Sequence, residues 1–339
     1  MLISFFYLAS ETHGGVKRSR QLAQHIGCSP LTYRPLSFSD NLALHIRNPF
    51  VSLYLLFFCI PRLIYEGVKI KSALYFYYRI IELTVPVFNA GRDSVIHIEI
   101  SDGIPLLFGR TLMYMGFKKV ISYPHNIEAL TNKEKDNYFS DTFQKFRFEC
   151  LIYRMSTKIF VISSLDKYLL QLVGINSTVL PYYPSTSEQI NLFKINALRI
   201  KRKTFDHFLI LGSCGNAPTL KGMTALIDII HDLRLPHKFI VAGNQTQLLR
   251  KKTDLNLAIL GSVSSDILAA LYGNAKALII NQIPTSGFLT RIIEAQIIGI
   301  PVIINKSYYQ SLELHDHSNV FIIDFDDPSA LSSALKTLN

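Results

Sequence analysis

Short apolar runs alternate, along the first half of the chain, with longer segments whose apolar positions recur at helical spacing. The apolar runs are rich in Val, Ile and Phe, and they predict strands over residues 2–8, 31–36, 95–100, 118–123 and 158–163. The segments between them have helical length and cover residues 15–26, 50–66, 72–84, 103–115 and 143–156. Strands separated by helices indicate βαβ units and a largely parallel sheet. The unbroken apolar run 159–162 is typical of a parallel strand that is covered on both faces.

The same alternation restarts after an interruption at residues 180–185, where Pro181 and Pro184 punctuate the chain before a polar, basic stretch. Apolar runs then predict strands over residues 208–211, 239–242, 258–260, 277–280, 302–304 and 321–323. We therefore predict a first domain over residues 1–190, a linker over 191–204 and a second domain over 205–339. Both are expected to be doubly wound, Rossmann-like α/β domains that face a central ligand cleft.

The composition sets outer bounds on this picture. A chain of 339 residues with 49% hydrophobic and 18% charged residues is not disordered, and it is long enough for two domains of about 150 residues each. Lysines and arginines outnumber acidic residues by 35 to 25, which gives a formal net charge of +10. Such a balance favours anionic partners, namely phosphorylated substrates, acidic lipid surfaces or nucleic acid, and does not choose among them.

The cysteines and the first residues of the chain bear on its compartment. Cys28, Cys59, Cys150 and Cys214 form no CxxC pair, which argues against a metal site or a disulfide framework. They are expected to be reduced, buried thiols of a cytoplasmic protein. The apolar run that begins at Leu2 has no basic residue before it and no small-residue cleavage pattern after it, so it predicts a strand rather than a signal peptide.

Residues 50–61 form the longest apolar run, and it is too short for a bilayer span of about 20 residues. Aromatic and apolar side chains stand here close to Arg62, Lys69, Lys71 and Arg79, a composition typical of a segment that lies on a membrane surface. A buried helix packed on a sheet explains the same residues. We predict peripheral association with an anionic inner membrane face, and an acceptor that is lipid-linked or part of a surface polysaccharide.

Two places in the first half carry candidate chemistry at strand ends. Gly14 and Gly15 stand between the first strand and a basic helix, where glycine lets a ligand approach the backbone and the helix N-terminus favours phosphate. A tight turn explains the glycines equally well, and no GxGxxG fingerprint is present. His125 follows a strand directly, and it would donate to a sugar hydroxyl or phosphate, act as a base, or form a structural His-Asn turn.

The second half contains a more specific pattern, in which the strand 277–281 leads to a loop with Pro284 and Gly287 and then to a helix expected from about Phe288 or Leu289. The free N–H groups and positive end of such a helix would face a diphosphate. Arg291 falls in the first turn, and Glu294 follows three residues later, where a carboxylate can accept hydrogen bonds from two vicinal ribose hydroxyls.

These motifs resemble the nucleotide-sugar half of the GT-B glycosyltransferases, especially retaining glycosyltransferase family 4, also described as glycosyl transferases group 1. The family hallmark is matched by Gly287, Arg291, Glu294-Ala295 and Gly299-Ile300-Pro301-Val302. Segments that resemble other parts of the family are Leu260-Gly261-Ser262-Val263, Leu271-Tyr272-Gly273-Asn274-Ala275, Gly14-Gly15, His125-Asn126-Ile127-Glu128, Glu149 and Phe160-Val161-Ile162-Ser163-Ser164-Leu165-Asp166-Lys167. The resemblance therefore covers nearly the whole chain.

The resemblance implies a role for each of these residues in binding a nucleotide diphosphate sugar. Glu294 would hold the ribose, while Arg291 and Lys221 would balance the diphosphate without a metal ion. The residues that would contact the rest of the donor or the reaction centre are Gly287, Phe288 and Leu289 through their N–H groups, Gly243-Asn244 and Ser262-Val263 beside the base, His125 at the transferred sugar, and Gly14-Gly15 at the reaction centre. The expected activity is retaining transfer of a sugar to a hydroxyl acceptor, in surface polysaccharide or glycolipid synthesis.

Two positions depart from the family pattern. Ser286 stands where the family often has a glutamate eight residues before the ribose-binding one, and Ser213 stands where it has an arginine after the first strand of the second domain. These departures keep open a catalytically inactive GT-B-like partner subunit in a glycosylation complex. A DNA-modifying glucosyltransferase is a weaker alternative, because the basic residues are dispersed along the chain, so we expect no nucleic-acid partner. The oligomeric state is not indicated.

Overall fold

The computed structural model describes residues 1–5, 14–131, 137–202, 204–249, 256–283, 288–309 and 319–338. The chain divides into two compact units, the first comprising Met1–Tyr182 and Ser286–Phe288 and the second comprising Tyr183–Thr285 and Leu289–Asn339. Each unit is built on a six-stranded sheet whose described strand pairs are all parallel. The predicted fold class, two Rossmann-like α/β units, is confirmed.

The first sheet is assembled around its β1 strand. Its strands are β1 (Leu2–Ser4), β2 (Leu31–Thr32), β3 (Ile96–Ile100), β4 (Val120–Pro124), β5 (Lys158–Val161) and β6 (Thr178–Val179), in the spatial order β2-β1-β3-β4-β5-β6. The chain therefore builds outward to one side of β1 and then returns to build outward from its other side. This reversal creates a topological switch point between β1 and β3, the position where open α/β sheets bind ligands at the carboxyl ends of their strands.

The helices of the first unit include a stretch with a π-helical turn, which a proline in the sequence explains. They are α1 (Gly14–Ile26), α2 (Phe38–Arg47), α3 (Pro49–Tyr54), α4 (Ile60–Tyr65), α5 (Ile70–Ala90), α6 (Ile104–Tyr114), α7 (Thr142–Met155) and α8 (Ser164–Leu172). A π-helical turn, Leu55–Cys59, joins α3 to α4, and the N–H of Ile60 donates to the carbonyl of Leu55. Pro61 follows immediately and has no N–H to continue the α-helical ladder, so the wider turn accommodates the proline within one helical stretch.

The second sheet has the strand order of a dinucleotide-binding fold. Its strands are β7 (His207–Leu211), β8 (Phe239–Ala242), β9 (Leu257–Ile259), β10 (Ala275–Ile280), β11 (Val302–Asn305) and β12 (Val320–Ile323), in the spatial order β12-β11-β10-β7-β8-β9. Its helices are α9 (Thr186–Ile200), α10 (Ala217–Asp232), α11 (Ser265–Asn274), α12 (Thr290–Ile298), α13 (Lys306–Tyr309) and α14 (Pro328–Thr337). The switch point of this sheet lies between β7 and β10.

Both faces of the second sheet are covered, which explains its continuous apolar strands. In β7, Phe208 and Ile210 belong to one apolar cluster and Leu209 to another. The same alternation continues in β10, where Ile279 joins the first cluster and Leu278 the second. Successive side chains of a strand point to opposite faces, so a strand that is buried on both faces has apolar residues at successive positions instead of alternating apolar and polar ones.

The boundary between the units lies earlier than the sequence predicts. The predicted linker, residues 191–204, falls largely within α9, which belongs to the second unit. A capping box starts this helix: the Ser185 side chain accepts from the backbone N–H of Glu188, and the Glu188 side chain accepts from the backbone N–H of Ser185. Its other end is tied down by the buried Arg199, whose guanidinium donates to the carbonyl of Ala275. The polar, basic composition that suggests a linker is that of a helix with one exposed face.

Candidate active site

At the switch point of the second sheet, the predicted Arg291 and two further polar side chains, Thr219 and Gln282, are hydrogen-bonded together. The Thr219 hydroxyl and the Arg291 guanidinium each donate to the same side-chain oxygen of Gln282, at 2.9 Å. Gln282 follows β10 by two residues and is buried, while Thr219 lies in the first turn of α10. Arg291, in the first turn of α12, is therefore held where a ligand of this fold is expected.

Glycines allow the backbones to meet closely at this point. A Cβ added to Gly212, which follows β7, would lie 2.5 Å from Cγ2 of Thr219 and 3.2 Å from Nη1 of Arg291. A Cβ added to Gly222 of α10 would lie 2.2 Å from the carbonyl oxygen of Asn281. Any larger residue at these positions would push α10 and Arg291 away from the strand ends, so both glycines serve close approach rather than a turn.

The loops that follow β8 and β9 join the same edge of the sheet. Gly243 has φ +136°, and a Cβ there would lie 1.9 Å from the carbonyl oxygen of Gly212. Its N–H donates to the Gly261 carbonyl at 2.8 Å, and the Asn244 carbonyl accepts from the N–H of Cys214 at 2.8 Å. Gly243 and Asn244 thus connect the loop after β7 with the loop after β9.

Ser213 and Val263 lie in the two loops that Gly243 and Asn244 connect. The Ser213 carbonyl accepts from the N–H of Asn216 at 3.2 Å, which closes the turn before α10. Val263 is half-buried and directly precedes Ser264, whose hydroxyl caps α11 by accepting from the Ile267 N–H. Of the two serines that depart from the family pattern, the structure describes only Ser213, because Ser286 and its neighbour Gly287 lie outside the described residues.

The α12 helix begins at Thr290, one or two residues later than expected, with Leu289 as its N-cap residue and Phe288 before it. Glu294 lies one turn after Arg291 and is only 4% exposed. Both charges act on buried Tyr272, whose pKa is raised well above its ordinary value by burial first and then by Glu294, whereas Arg291 lowers it. A carboxylate in such a low-dielectric place binds hydroxyl donors strongly.

Lys221 is positioned differently from the other predicted cation. Thr219 and Gly222 of α10 are buried, whereas Lys221 is exposed on another side of this helix. Arg291 is half-buried and bonded to Gln282. The geometry therefore favours Arg291 as the cation of this site, and the role of Lys221 stays a prediction.

In the first unit, a buried carboxylate occupies the switch point. Oε2 of Glu99, in β3, accepts from the hydroxyl of Ser19 in α1 at 2.6 Å and from that of Ser4 in β1 at 3.2 Å. The same oxygen lies 3.4 Å from Nε2 of His125. His125 follows β4, and its backbone N–H donates to the Ile100 carbonyl at 2.9 Å. The predicted histidine is thus placed beside the buried carboxyl group of Glu99.

Glu99 is the functional candidate that the sequence reasoning missed. The residue is fully buried, and its Oε1 accepts no hydrogen bond from any described residue. An acidic residue between two isoleucines of a parallel strand is the pattern that would have revealed it, since such residues are almost never buried without a partner. Arg18 of α1 is also fully buried. Burial lowers the pKa of its guanidinium to about 10, and Glu99 is the largest influence in the other direction.

Gly14 and Gly15 begin α1, and the carbonyl of Gly15 lies 3.0 Å from the hydroxyl of Ser19. The same hydroxyl donates to Glu99, so Ser19 connects the first turn of α1 to the carboxyl group. The start of α1, the end of β1 and the residue after β4 therefore converge on Glu99.

A second buried glutamate fixes the backbone that follows His125. Glu149, in α7, accepts from the N–H groups of Glu128 and Ala129 at 2.9 and 2.8 Å, and from the Tyr153 hydroxyl at 3.0 Å. Burial, reinforced by the nearby carboxylate of Glu128, raises the pKa of Glu149 to about 8 against these three donors. Glu149 thereby holds a short 3₁₀ turn, Glu128–Leu130, three residues after His125.

Within the parts of the chain that the structure describes, no group of three or more His, Cys, Asp or Glu side chains is arranged to hold a metal ion. The expectation of a metal-independent reaction stays a prediction.

Comparison with known proteins places this geometry in a family context. Residues 207–339 match the model of a family described as "Glycosyl transferases group 1". This stretch contains the second unit's sheet and its helices after α9, and for it the resemblance to glycosyl transferases group 1 is confirmed. No curated protein matches the sequence.

Several solved structures share the fold of most or nearly all of this chain. A glycosyltransferase from Rickettsia africae ESF-5 is 15% identical over 99% of this chain and 87% of its own, with a TM-score of 0.58. Anabaena Alr3699/HepE in complex with UDP is 14% identical over 99% and 81%, with a TM-score of 0.54. Sucrose-phosphate synthase from Thermosynechococcus elongatus is 13% identical over 78% and 69%, with a TM-score of 0.53. At these identities the likeness is one of fold.

Proposed function

We propose that this chain is a retaining glycosyltransferase that moves a sugar from a nucleotide diphosphate donor to a hydroxyl of a saccharide or lipid-linked acceptor. The observation that carries the proposal is Arg291, held by Gln282 at the switch point of a unit that matches the glycosyl transferases group 1 model. The relative HepE was solved with UDP, which supports a nucleoside diphosphate as the ligand class.

In the proposed reaction, the bond between the anomeric carbon and the diphosphate oxygen breaks, and a bond between that carbon and the acceptor oxygen forms. The acceptor's hydroxyl proton passes to the departing diphosphate. Negative charge therefore builds up on the diphosphate, where Arg291 and the N–H groups at the start of α12 would stabilise it without rearranging. Glu294 would accept hydrogen bonds from the ribose.

The first unit would supply the contact with the transferred sugar. His125 is oriented by Glu99 and by the backbone that Glu149 fixes, so its imidazole would meet a sugar hydroxyl in a defined position. We place the reaction in the cytoplasm, at the inner membrane face.

The proposal is tested by a thermal-shift screen of nucleotide sugars on the full chain, because a ligand of the native state raises the unfolding temperature by mass action. We expect one nucleotide class to stabilise the protein and Glu294→Ala to abolish the shift. Asp266→Ala, an exposed carboxylate in the first turn of α11, is the matched control and should retain it. Equal shifts in the wild type and Glu294→Ala would reject the assigned ribose contact.

A catalytically inactive partner subunit is the second candidate, and Ser213 favours it because the family's arginine is absent from the loop after β7. Donor binding alone does not separate the two candidates. Release of nucleoside diphosphate by the purified chain, with or without added acceptor, would establish turnover and exclude the inactive reading.

A further inference from the structure

The helices α2 to α5 of the first unit expose many large apolar side chains. Six large ones are between 61% and 93% exposed, and we call them the apolar helical surface: Phe38, Ile46, Phe50, Phe57, Tyr65 and Ile70. On α2, Phe38, Leu42 and Ile46 are spaced four residues apart and therefore lie along one face of the helix. Large apolar side chains exposed along a helix face in this way are typical of an interaction site.

The helices that carry this surface are firmly held from the other side. His45 Nδ1 lies 2.8 Å from the Ser52 hydroxyl, which lies 2.7 Å from the Tyr77 hydroxyl, so a buried polar chain connects α2, α3 and α5. Leu55 and Leu63, in the helical stretch from α3 to α4, are completely buried. Each helix thus packs one face into the unit and leaves an apolar face outward, and the exposure belongs to the packed fold.

Basic residues accompany the exposed apolar ones. Over the segment from α2 to α5, residues 38–90, the cations are Arg47, Arg62, Lys69, Lys71 and Arg79, and the acids are Asp40, Glu66 and Glu82. Glu66 is already bonded to Arg110, whose Nε lies 2.8 Å from Oε2. This combination of outward aromatic residues with neighbouring cations is typical of a surface that rests in the headgroup region of an anionic bilayer.

Two other occupants fit less well. Among the described residues no single helix is long and apolar enough to span a bilayer, and the one pair that passes by length and composition, Phe38–Arg47 with Pro49–Tyr65, is bent by 100°. Leu55 and Leu63 of that pair are buried against the unit, which opposes a span. A second copy of the chain would place the same cations against each other, and like charges oppose that contact.

We propose that the apolar helical surface inserts into the headgroup region of a bilayer that contains anionic lipids. This proposal stands on the first unit alone and does not depend on the proposed donor site. If both hold, membrane docking brings the enzyme to a lipid-linked acceptor, and the acceptor class is defined by the surface on which the protein rests.

The test measures co-sedimentation of the full chain with vesicles of phosphatidylglycerol and phosphatidylcholine, and with vesicles of phosphatidylcholine alone, at low salt. We expect binding to the mixed vesicles, and a partition coefficient at least about tenfold lower for the variant Phe50→Ser/Phe57→Ser, because each ring loses its burial in the interface. Phe193→Ser is the matched control. Its ring, on α9 of the second unit, is 58% exposed and should not affect binding.

A second variant tests the charge. Arg62→Gln/Lys71→Gln should weaken binding to the mixed vesicles about fivefold per charge, and added salt should remove the difference from wild type. Thermal shifts with nucleotide sugars should be unchanged in both double variants, so a failure here is distinct from a failure of the donor site. The proposal is overturned if Phe50→Ser/Phe57→Ser binds as wild type does, or if these substitutions instead dissolve a dimer seen by ultracentrifugation without lipid.

Discussion

Each sheet has its switch point beside the first strand of its unit, β1 or β7, yet the two switch points gather opposite chemistry. In the first unit an anion, Glu99, is surrounded by two hydroxyls and an imidazole. In the second unit a cation, Arg291, stands beside glycines that bring the backbone within contact of the strand ends. A buried carboxylate prefers partners that donate hydrogen bonds, such as sugar hydroxyls, whereas a guanidinium with backbone N–H groups prefers acceptors, such as phosphates.

The comparison shows two ways in which a polar site is built at a switch point. The first site is built from side chains that bond each other, so its geometry is set by mutual hydrogen bonds. The second is built largely from backbone, and its geometry is set by which residues lack a Cβ. Substitutions should therefore damage the two sites in different ways, through steric displacement in the second unit and through lost charge or orientation in the first.

Gly243→Ala is expected to have the largest effect of the substitutions considered. Its φ of +136° and the 1.9 Å approach of a Cβ to the Gly212 carbonyl combine backbone strain with overlap against backbone. We expect a loss of about 3 kcal/mol in the free energy of unfolding, measured by denaturant titration, together with loss of nucleotide binding.

Gly174→Ala separates strain from overlap. Gly174 has φ +74° and nothing within 4 Å of an added Cβ, so only the conformational cost of about 1 kcal/mol should remain. If Gly243→Ala were no more destabilising than Gly174→Ala, the contact between the loops after β7 and β8 would not be close, and the backbone-built view of the second site would be wrong.

Arg291→Ala is the next largest, and its effect should fall on binding rather than folding. Removing a half-buried guanidinium from a diphosphate should weaken nucleoside diphosphate affinity about 100-fold, or about 3 kcal/mol, by titration calorimetry. Arg202→Ala, which removes an exposed arginine bonded to Asn274, is the control and should bind normally. Unchanged affinity in Arg291→Ala would show that Arg291 has only a structural role, through its hydrogen bond to Gln282.

The sequence predicts the second site better than the first for a physical reason. Gly287, Arg291 and Glu294 lie close together in the chain, so helical spacing alone relates Arg291 to Glu294. Glu99, by contrast, meets Ser4 and Ser19 across 95 and 80 residues of sequence, and only the strand order β1-β3 brings them together. Strand existence follows from local apolar runs, whereas strand order, and hence the buried cluster at a switch point, depends on long-range pairing.

The same distinction explains the displaced boundary between the units. Composition marks residues 191–204 as polar and basic, but the capping box at Ser185 and Glu188 and the buried Leu192 make the segment a helix of the second unit. A helix with one buried face has a polar remainder, and without knowledge of its partners α11 and α12 that remainder is indistinguishable from a linker.

Glu99→Gln should lower turnover about tenfold while leaving nucleoside diphosphate affinity unchanged. Glutamine keeps an oxygen for the hydroxyls of Ser4 and Ser19 but loses the charge that holds His125. Because Glu99 acts through His125, adding Glu99→Gln to a His125→Ala chain should have no further effect on turnover, which a double-mutant cycle measures. Additive losses in the double variant would assign Glu99 a role independent of the histidine.

The effect of Glu149→Gln should appear as a change in the pH dependence of stability. Burial raises the pKa of Glu149 to about 8, above its unfolded value, so the folded state binds this proton more tightly than the unfolded state does. The associated stability is fully present at low pH and is lost as the pH rises from the unfolded value, about 4.3, to about 8. The wild type should therefore lose up to about 1 kcal/mol per pH unit across this window from this one residue. Glutamine does not titrate, so the slope of unfolding free energy against pH, from denaturant titrations between pH 5 and about 8, should be flatter in Glu149→Gln. Parallel slopes in the two proteins would mean that the three hydrogen bonds donated to Glu149 outweigh its burial, and that the turn after His125 is held by a carboxylate that is already ionised.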